Sequence, residues 1–143
     1  MPMTAPTTCN CKTKDKIMTV TVQWDDDTKK NTIIWTVVGR WTWDEFGQAF
    51  NDMQAMLENV PGPVDFIYDV RRMAMLPADL IRRLKLDYLK LPSNVGRLIA
   101  VGVDEHLQFF WNTFTELPYA RHLKMRYFDT LEEARTFIWS SHS

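Results

Sequence analysis

The sequence predicts an α/β fold: a single domain on a mainly parallel sheet of about five strands, in the order β-β-α-β-α-β-α-β-α, with the first strand antiparallel. Three observations carry that prediction. Apolar residues alternate from Ile17 to Trp24 and then recur at steps of three and four from Trp43 to Val60, so strand and helix periods are cleanly separated. Thr42 with Glu45 and Thr130 with Glu133 form capping boxes, in which the Thr hydroxyl accepts from the Glu N–H while the Glu carboxylate accepts from the Thr N–H. Arg97 to Val103 is short and almost wholly apolar, the pattern of a parallel strand covered on both faces.

Each element follows in order. Met18, Val20, Val22 and Trp24 lie on one side of the first strand, and the charged stretch Asp25 to Asn31 turns it into a second run, Thr32 to Val38, giving an antiparallel hairpin. Three adjacent carboxylates followed by two lysines lack the spacing and glycine of a calcium loop, so that stretch reads as a solvated turn. The first helix runs from Trp43 to about Asn59, buries Trp43, Phe46, Phe50, Met53, Leu57 and Val60, and is stopped by Pro61-Gly62-Pro63. Val64 to Val70 is a third strand, and Asp69 to Asp79 a loop at its carboxyl end. A second helix opens at Pro77, carries Leu80, Ile81, Leu84, Tyr88 and Leu91 as its stripe, and ends at Pro92. Arg97 to Val103 follows as the fourth strand. Asp104 caps a third helix burying Leu107, Phe110, Trp111 and Phe114; Lys124 to Phe128 is the fifth strand, and Leu131, Ala134, Phe137 and Ile138 face inward from the last helix.

Composition narrows the function classes. The 143 residues suit one core, and 45% hydrophobic with 24% charged residues is the balance of a folded chain. A net charge of -1 supplies no general attraction to nucleic acid or anionic membranes, and Arg82, Arg83, Lys85 and Lys90 lack the interleaved aromatics of a nucleic-acid face. Residues 1–16 read as a flexible tail with no apolar signal core, and no apolar run approaches the roughly 20 residues that span a bilayer, so a cytoplasmic protein without membrane insertion is expected. Cys9 and Cys11 are too close for a structural disulfide and have no second pair to complete a metal site. His106 and His122 accompany no nucleophile motif, and the glycines form no phosphate-binding loop. No enzyme activity, cofactor or metal is expected on these grounds.

Trp24-Asp-Asp at the end of the first strand, Gly39-Arg-Trp-Thr-Trp-Asp-Glu-Phe46, Val64-Asp-Phe-Ile-Tyr-Asp69 and Asp129-Thr-Leu-Glu-Glu-Ala-Arg135 together resemble the SpoIIAA-like and STAS-like domains, over Ile17 to Trp139. The resemblance implies a small sheet of successive βα units, in a group that includes anti-sigma-factor antagonists and domains related to lipid carriers. In the antagonists a serine at the start of the helix after the third strand is phosphorylated. Here Asp69-Val-Arg-Arg-Met-Ala-Met-Leu-Pro-Ala-Asp79 holds no Ser, Thr or Tyr. The resemblance therefore implies a non-enzymatic regulatory or protein-interaction domain lacking the phosphorylatable serine, acting as a monomer or homodimer on an unidentified protein partner.

Two candidate sites follow. The Asp69 to Asp79 loop lies beyond the carboxyl end of a strand, where α/β sheets bind ligands, and presents Asp69, Arg71, Arg72, Met73, Met75 and Asp79 to a partner or an anion. Asp69 pairing with one of the arginines is the plainer reading of the same residues. The alternative is a carrier or sensor for a small lipophilic or anionic ligand, with Met53 and Met56 joining Met73 and Met75 around a pocket of about 300 Å³ or more. Of the tryptophans, Trp41 and Trp139 are the ones expected at the surface.

Overall fold

The computed structural model describes residues 19–26, 31–74 and 91–142. Its elements are β1 (Val20–Trp24), β2 (Thr32–Gly39), α1 (Trp43–Leu57), β3 (Val64–Met73), β4 (Val95–Val101), α2 (Glu105–Phe114), a 3₁₀ helix (Pro118–Leu123), β5 (Arg126–Phe128) and α3 (Leu131–His142). The five strands form one sheet in sequence order. β1 is antiparallel to β2 and the remaining pairs are parallel, so the predicted class and topology hold for these elements. Most of the second predicted helix, the charged turn after Asp26, the Cys9/Cys11 tail, Met75 and Asp79 lie outside the described residues.

Strand alternation sorts the sheet into two faces with different chemistry. On the front, Val20, Ile33, Trp35, Val37, Val64, Phe66 and Leu98 meet Phe50, Met53 and Leu57 of α1, Phe114 of α2, and Ala120 and Leu123 of the 3₁₀ helix. On the back, Ile34, Ile67, Ile99 and Val101 pack against Ala134 and Ile138 of α3. The helices start where the sequence places them. Thr42 Oγ1 accepts from Glu45 N at 3.2 Å and Thr42 N donates to Glu45 Oε1 at 2.9 Å. Thr130 and Glu133 repeat the exchange at 3.1 and 3.3 Å, and Asp104 Oδ1 accepts from Leu107 N at 2.8 Å.

Several strand boundaries differ from the sequence reading, β4 also starting two residues early at Val95 and β2 ending at Gly39, and three of the differences have a visible reason. β3 continues past Val70 to Met73, because Arg72 and Met73 still find partners in Val38 and Gly39 of β2. Arg71, Arg72 and Met73 therefore belong to a strand rather than to a loop. β4 ends at Val101 instead of Val103: Gly102 takes φ +82° and lies so close to Arg71 that a side chain would collide with it. β5 begins at Arg126 instead of Lys124, since the preceding residues wind into the 3₁₀ helix that buries Ala120 and Leu123.

The β3–β4 ladder contains a bulge in which Gly96 and Arg97 lie opposite Asp65. The buried Asp65 carboxylate fills it, accepting from Arg97 N at 2.7 Å and from Arg97 Nη2 at 2.9 Å. A Cβ at position 96 would overlap Asp65 Oδ1, so only glycine fits there without a shift. At the far side of the sheet, Arg135 of α3 reaches Asp25, beyond β1, through bonds of 2.7 to 3.2 Å. Two of the sequence stretches quoted above, Trp24-Asp-Asp and Asp129 to Arg135, are thereby joined across the back of the sheet.

Candidate functional site

The sheet's front face carries a cavity of about 140 Å³. Its floor is built from Trp35 and Val37 of β2, Tyr68, Val70 and Met73 of β3, and Ala100 of β4. The junction and first turns of α1 supply Trp41, Trp43, Phe46 and Phe50 on one side; Leu107 and Trp111 of α2 stand on the other, with Leu123, Met125 and Tyr127 beyond. The Gly39-to-Phe46 junction explains the first wall. Its capping box turns the chain sharply from β2 into α1, and Trp41 packs edge-on to Trp43 at 5.0 Å and against Phe46 at 5.5 Å. Trp41 is only 9% exposed, which corrects the expectation that it lies at the surface; Trp139, at 60%, does lie there.

A second bulge decides what faces this cavity. Thr36 pairs with Asp69 and Val38 with Arg72, so Val70 and Arg71 of β3 stand opposite the single residue Val37. Without the extra residue, strand alternation would send Arg72 to the front with Tyr68 and Val70. The bulge reverses the phase, so that Met73 lines the cavity and Arg72 pairs with Val38 of the opposite phase. No charged side chain lines the cavity among the described residues.

The candidate residues from the sequence are thus divided. Met73 lines the cavity. Met53 is fully buried in the α1–sheet core and Met56 packs partly buried against it; neither reaches the cavity lining, because both belong to the later turns of α1 while the cavity borders its first ones. Asp69 and Arg71 pair with each other: Arg71 Nε and Nη2 donate to the two carboxylate oxygens at 2.8 Å, and Arg71 N donates to Oδ1 at 3.2 Å. The Arg71 bond holds the Asp69 carboxyl below its ordinary value against the opposing effect of burial, and Asp69 in turn raises the guanidinium. That fork is occupied by its own neighbour. Arg72 is exposed and forms no such pair among the described residues.

Sequence reasoning missed Tyr68, Trp111 and Tyr127 as lining residues. The available signal was the phase of Tyr68, which shares a face with Phe66; the separation of α1 from α2, which leaves room above that face, has no local sequence mark. The polar tips around the cavity are unequal. Trp111 Nε1 donates to Leu123 O at 2.9 Å and Tyr127 Oη to Asn112 Oδ1 at 3.0 Å, whereas the indole N–H groups of Trp35 and Trp41 are buried without a protein partner. Burial pushes the Tyr68 phenol well above its ordinary value, and Tyr127 moves the same way.

The solved structures place this architecture. The chain is similar to an uncharacterized protein of the DUF3478 family with a SpoIIAA-like fold from Shewanella loihica PV-4, with a TM-score of 0.59 and 14% identity over 85% of this chain and 94% of that one. The fold is SpoIIAA-like. No protein-family model and no curated protein matches the chain by sequence. Among the described residues no helix is long and apolar enough to cross a membrane, and no group of three or more His, Cys, Asp or Glu side chains is arranged to hold a metal ion.

Proposed function

We propose that this SpoIIAA-like domain is a non-catalytic binding module whose front-face cavity takes a small apolar molecule, as a carrier or sensor does. The cavity carries the reading: its described lining is aliphatic, aromatic and thioether, and its volume of about 140 Å³ is below the roughly 300 Å³ of drug-sized sites. The ligand is accordingly smaller than the one the four-methionine pocket called for. An anionic ligand finds no counter-charge in this lining, and the Arg71 fork that would hold an anion is engaged with Asp69. The non-catalytic part rests on the sequence, which offers no nucleophile motif or paired acid and base.

Native mass spectrometry of protein freshly isolated from its source tests the proposal. The expected result is a small co-purifying mass released on denaturation. A bare-chain mass, together with tryptophan fluorescence unresponsive to ethylbenzene and cyclohexanone, would contradict it, because four tryptophans line the cavity.

A second reading, interaction with a partner protein, is favoured by one observation: Arg72 stands exposed next to a self-satisfied Asp69–Arg71 pair. Arg72→Glu is then expected to weaken recovery of a partner from native extract more than Arg71→Glu does. Equal recovery with both variants would remove this strand end from the contact.

A further inference from the structure

We propose that the cavity's ligand is an uncharged molecule of about six to nine heavy atoms with one hydrogen-bond acceptor, seated on the Tyr68 hydroxyl, given that a cavity of roughly 150 Å³ accommodates benzene. The proposal rests on the apolar-ligand reading above and adds the polar feature that orients the ligand.

Tyr68 stands in the middle of the cavity floor, its ring stacked on Trp35 at 5.4 Å and edge-on to Phe66 at 6.1 Å. Those contacts hold the ring in place against the sheet. Among the described residues that hydroxyl has no hydrogen-bond partner, although Tyr127 and Trp111, on the same cavity, both have one. Tyr68 is half-buried and its hydroxyl is not one of the fully covered unpaired groups, so the donor is open to the cavity, where a ligand acceptor can take the place of water. The unpaired indole nitrogens of Trp35 and Trp41 are themselves fully covered, and they offer a ligand nothing. Burial raises the phenol's pKa, which keeps the group a neutral donor throughout the physiological range. An ion is excluded by the same surroundings, since it would lose its hydration without a countercharge.

The test uses the full chain and three probes of similar size: acetophenone, which has a carbonyl acceptor; ethylbenzene, which has none; and benzoate, which is charged. Titration followed by calorimetry or amide chemical shifts is expected to show acetophenone binding about tenfold tighter than ethylbenzene, the upper range for one net hydrogen bond. Benzoate should bind more weakly than either. Tyr68→Phe keeps the ring and removes the donor, so it should erase the acetophenone advantage while ethylbenzene still binds, which also shows that the variant is folded. An acetophenone advantage that survives in Tyr68→Phe, or one absent from the unaltered protein, overturns the role of Tyr68 and leaves the apolar-cavity reading standing. Benzoate binding as tightly as acetophenone overturns the uncharged ligand class. Failure of all three probes to bind overturns the cavity reading together with this one.

Discussion

The two faces of the sheet solve the same packing problem with different materials. The back is closed with small aliphatic side chains, Ile34, Ile67, Ile99 and Val101 against Ala134 and Ile138, and two ion pairs fasten its surroundings: Asp25 with Arg135 and Asp65 with Arg97. Phe137 of α3 also lies under the guanidinium groups of Arg97 and Arg126, at 5.2 and 4.7 Å. The front is built from large rings, Trp35, Trp41, Phe46, Phe50, Phe66 and Tyr68, which meet at centroid distances of 5.2 to 6.5 Å and leave a cavity. The back also packs Phe128 against Phe137 at 5.5 Å, so what sets the faces apart is the number of large rings and the cavity beside them, not the presence of rings alone. The difference teaches where binding belongs: the back carries ion pairs that fasten the fold, and the front carries the cavity.

Several substitutions break or sharpen that contrast. The largest effect is expected at Phe50, which anchors α1 to the front face: Phe50→Ala should cost about 3 to 5 kcal/mol in denaturant melts, the usual loss for a buried ring. On the back, Asp25→Ala removes the acceptor of a bidentate arginine that joins α3 to the β1 end, and the expected loss is about 1.5 to 3 kcal/mol, the range for hydrogen bonds to charged groups. Its signature is local, with faster amide exchange in α3 than in α1. Thr42→Ala at the α1 cap should cost about 1 kcal/mol. Should Phe50→Ala prove no more destabilising than Thr42→Ala, α1 does not bury the face assigned to it.

Alkaline pH gives the smallest effect at neutrality and the most specific to the front. Tyr68 has its pKa raised by burial in the folded protein, so above about pH 10 the unfolded chain loses a proton that the folded one keeps. That contribution to stability is fully present below the unfolded value and is lost as pH rises toward the folded one. Tyr68→Phe should flatten the alkaline limb of a stability-versus-pH curve, leaving a smaller residual slope from Tyr127. A limb unchanged by Tyr68→Phe would mean that its phenol is not desolvated.

Much of this architecture is legible in the residues. Thr42 and Glu45 announce α1, Asp104 announces α2, and Thr130 and Glu133 announce α3, because a cap is a local hydrogen-bond arrangement read within four residues. The strand phases follow from alternation, and they place Trp35 and Phe66 inside correctly. The site is less legible because it depends on register. The bulge opposite Val37 is what turns Met73 toward the cavity, and a two-for-one pairing between β2 and β3 leaves no mark in either strand alone. Met53 and Met56 illustrate the reverse case: helical spacing puts them on or beside the buried face, but which turn of α1 borders an opening depends on where α2 stands.

The central claim is that the front face holds open space beside Ala100 whereas Ala134 sits in closely packed core, and enlarging each alanine tests it most directly. Ala100 lines the cavity from β4, and Ala134 is fully buried between α3 and the sheet. Ala100→Leu is expected to change stability by less than about 1 kcal/mol, because its added volume enters the cavity, and to reduce ethylbenzene binding. Ala134→Leu should cost about 1 to 3 kcal/mol, the usual penalty for overpacking a filled core. Equal losses from both substitutions would contradict the account, since they would show the front face to be as closely packed as the back.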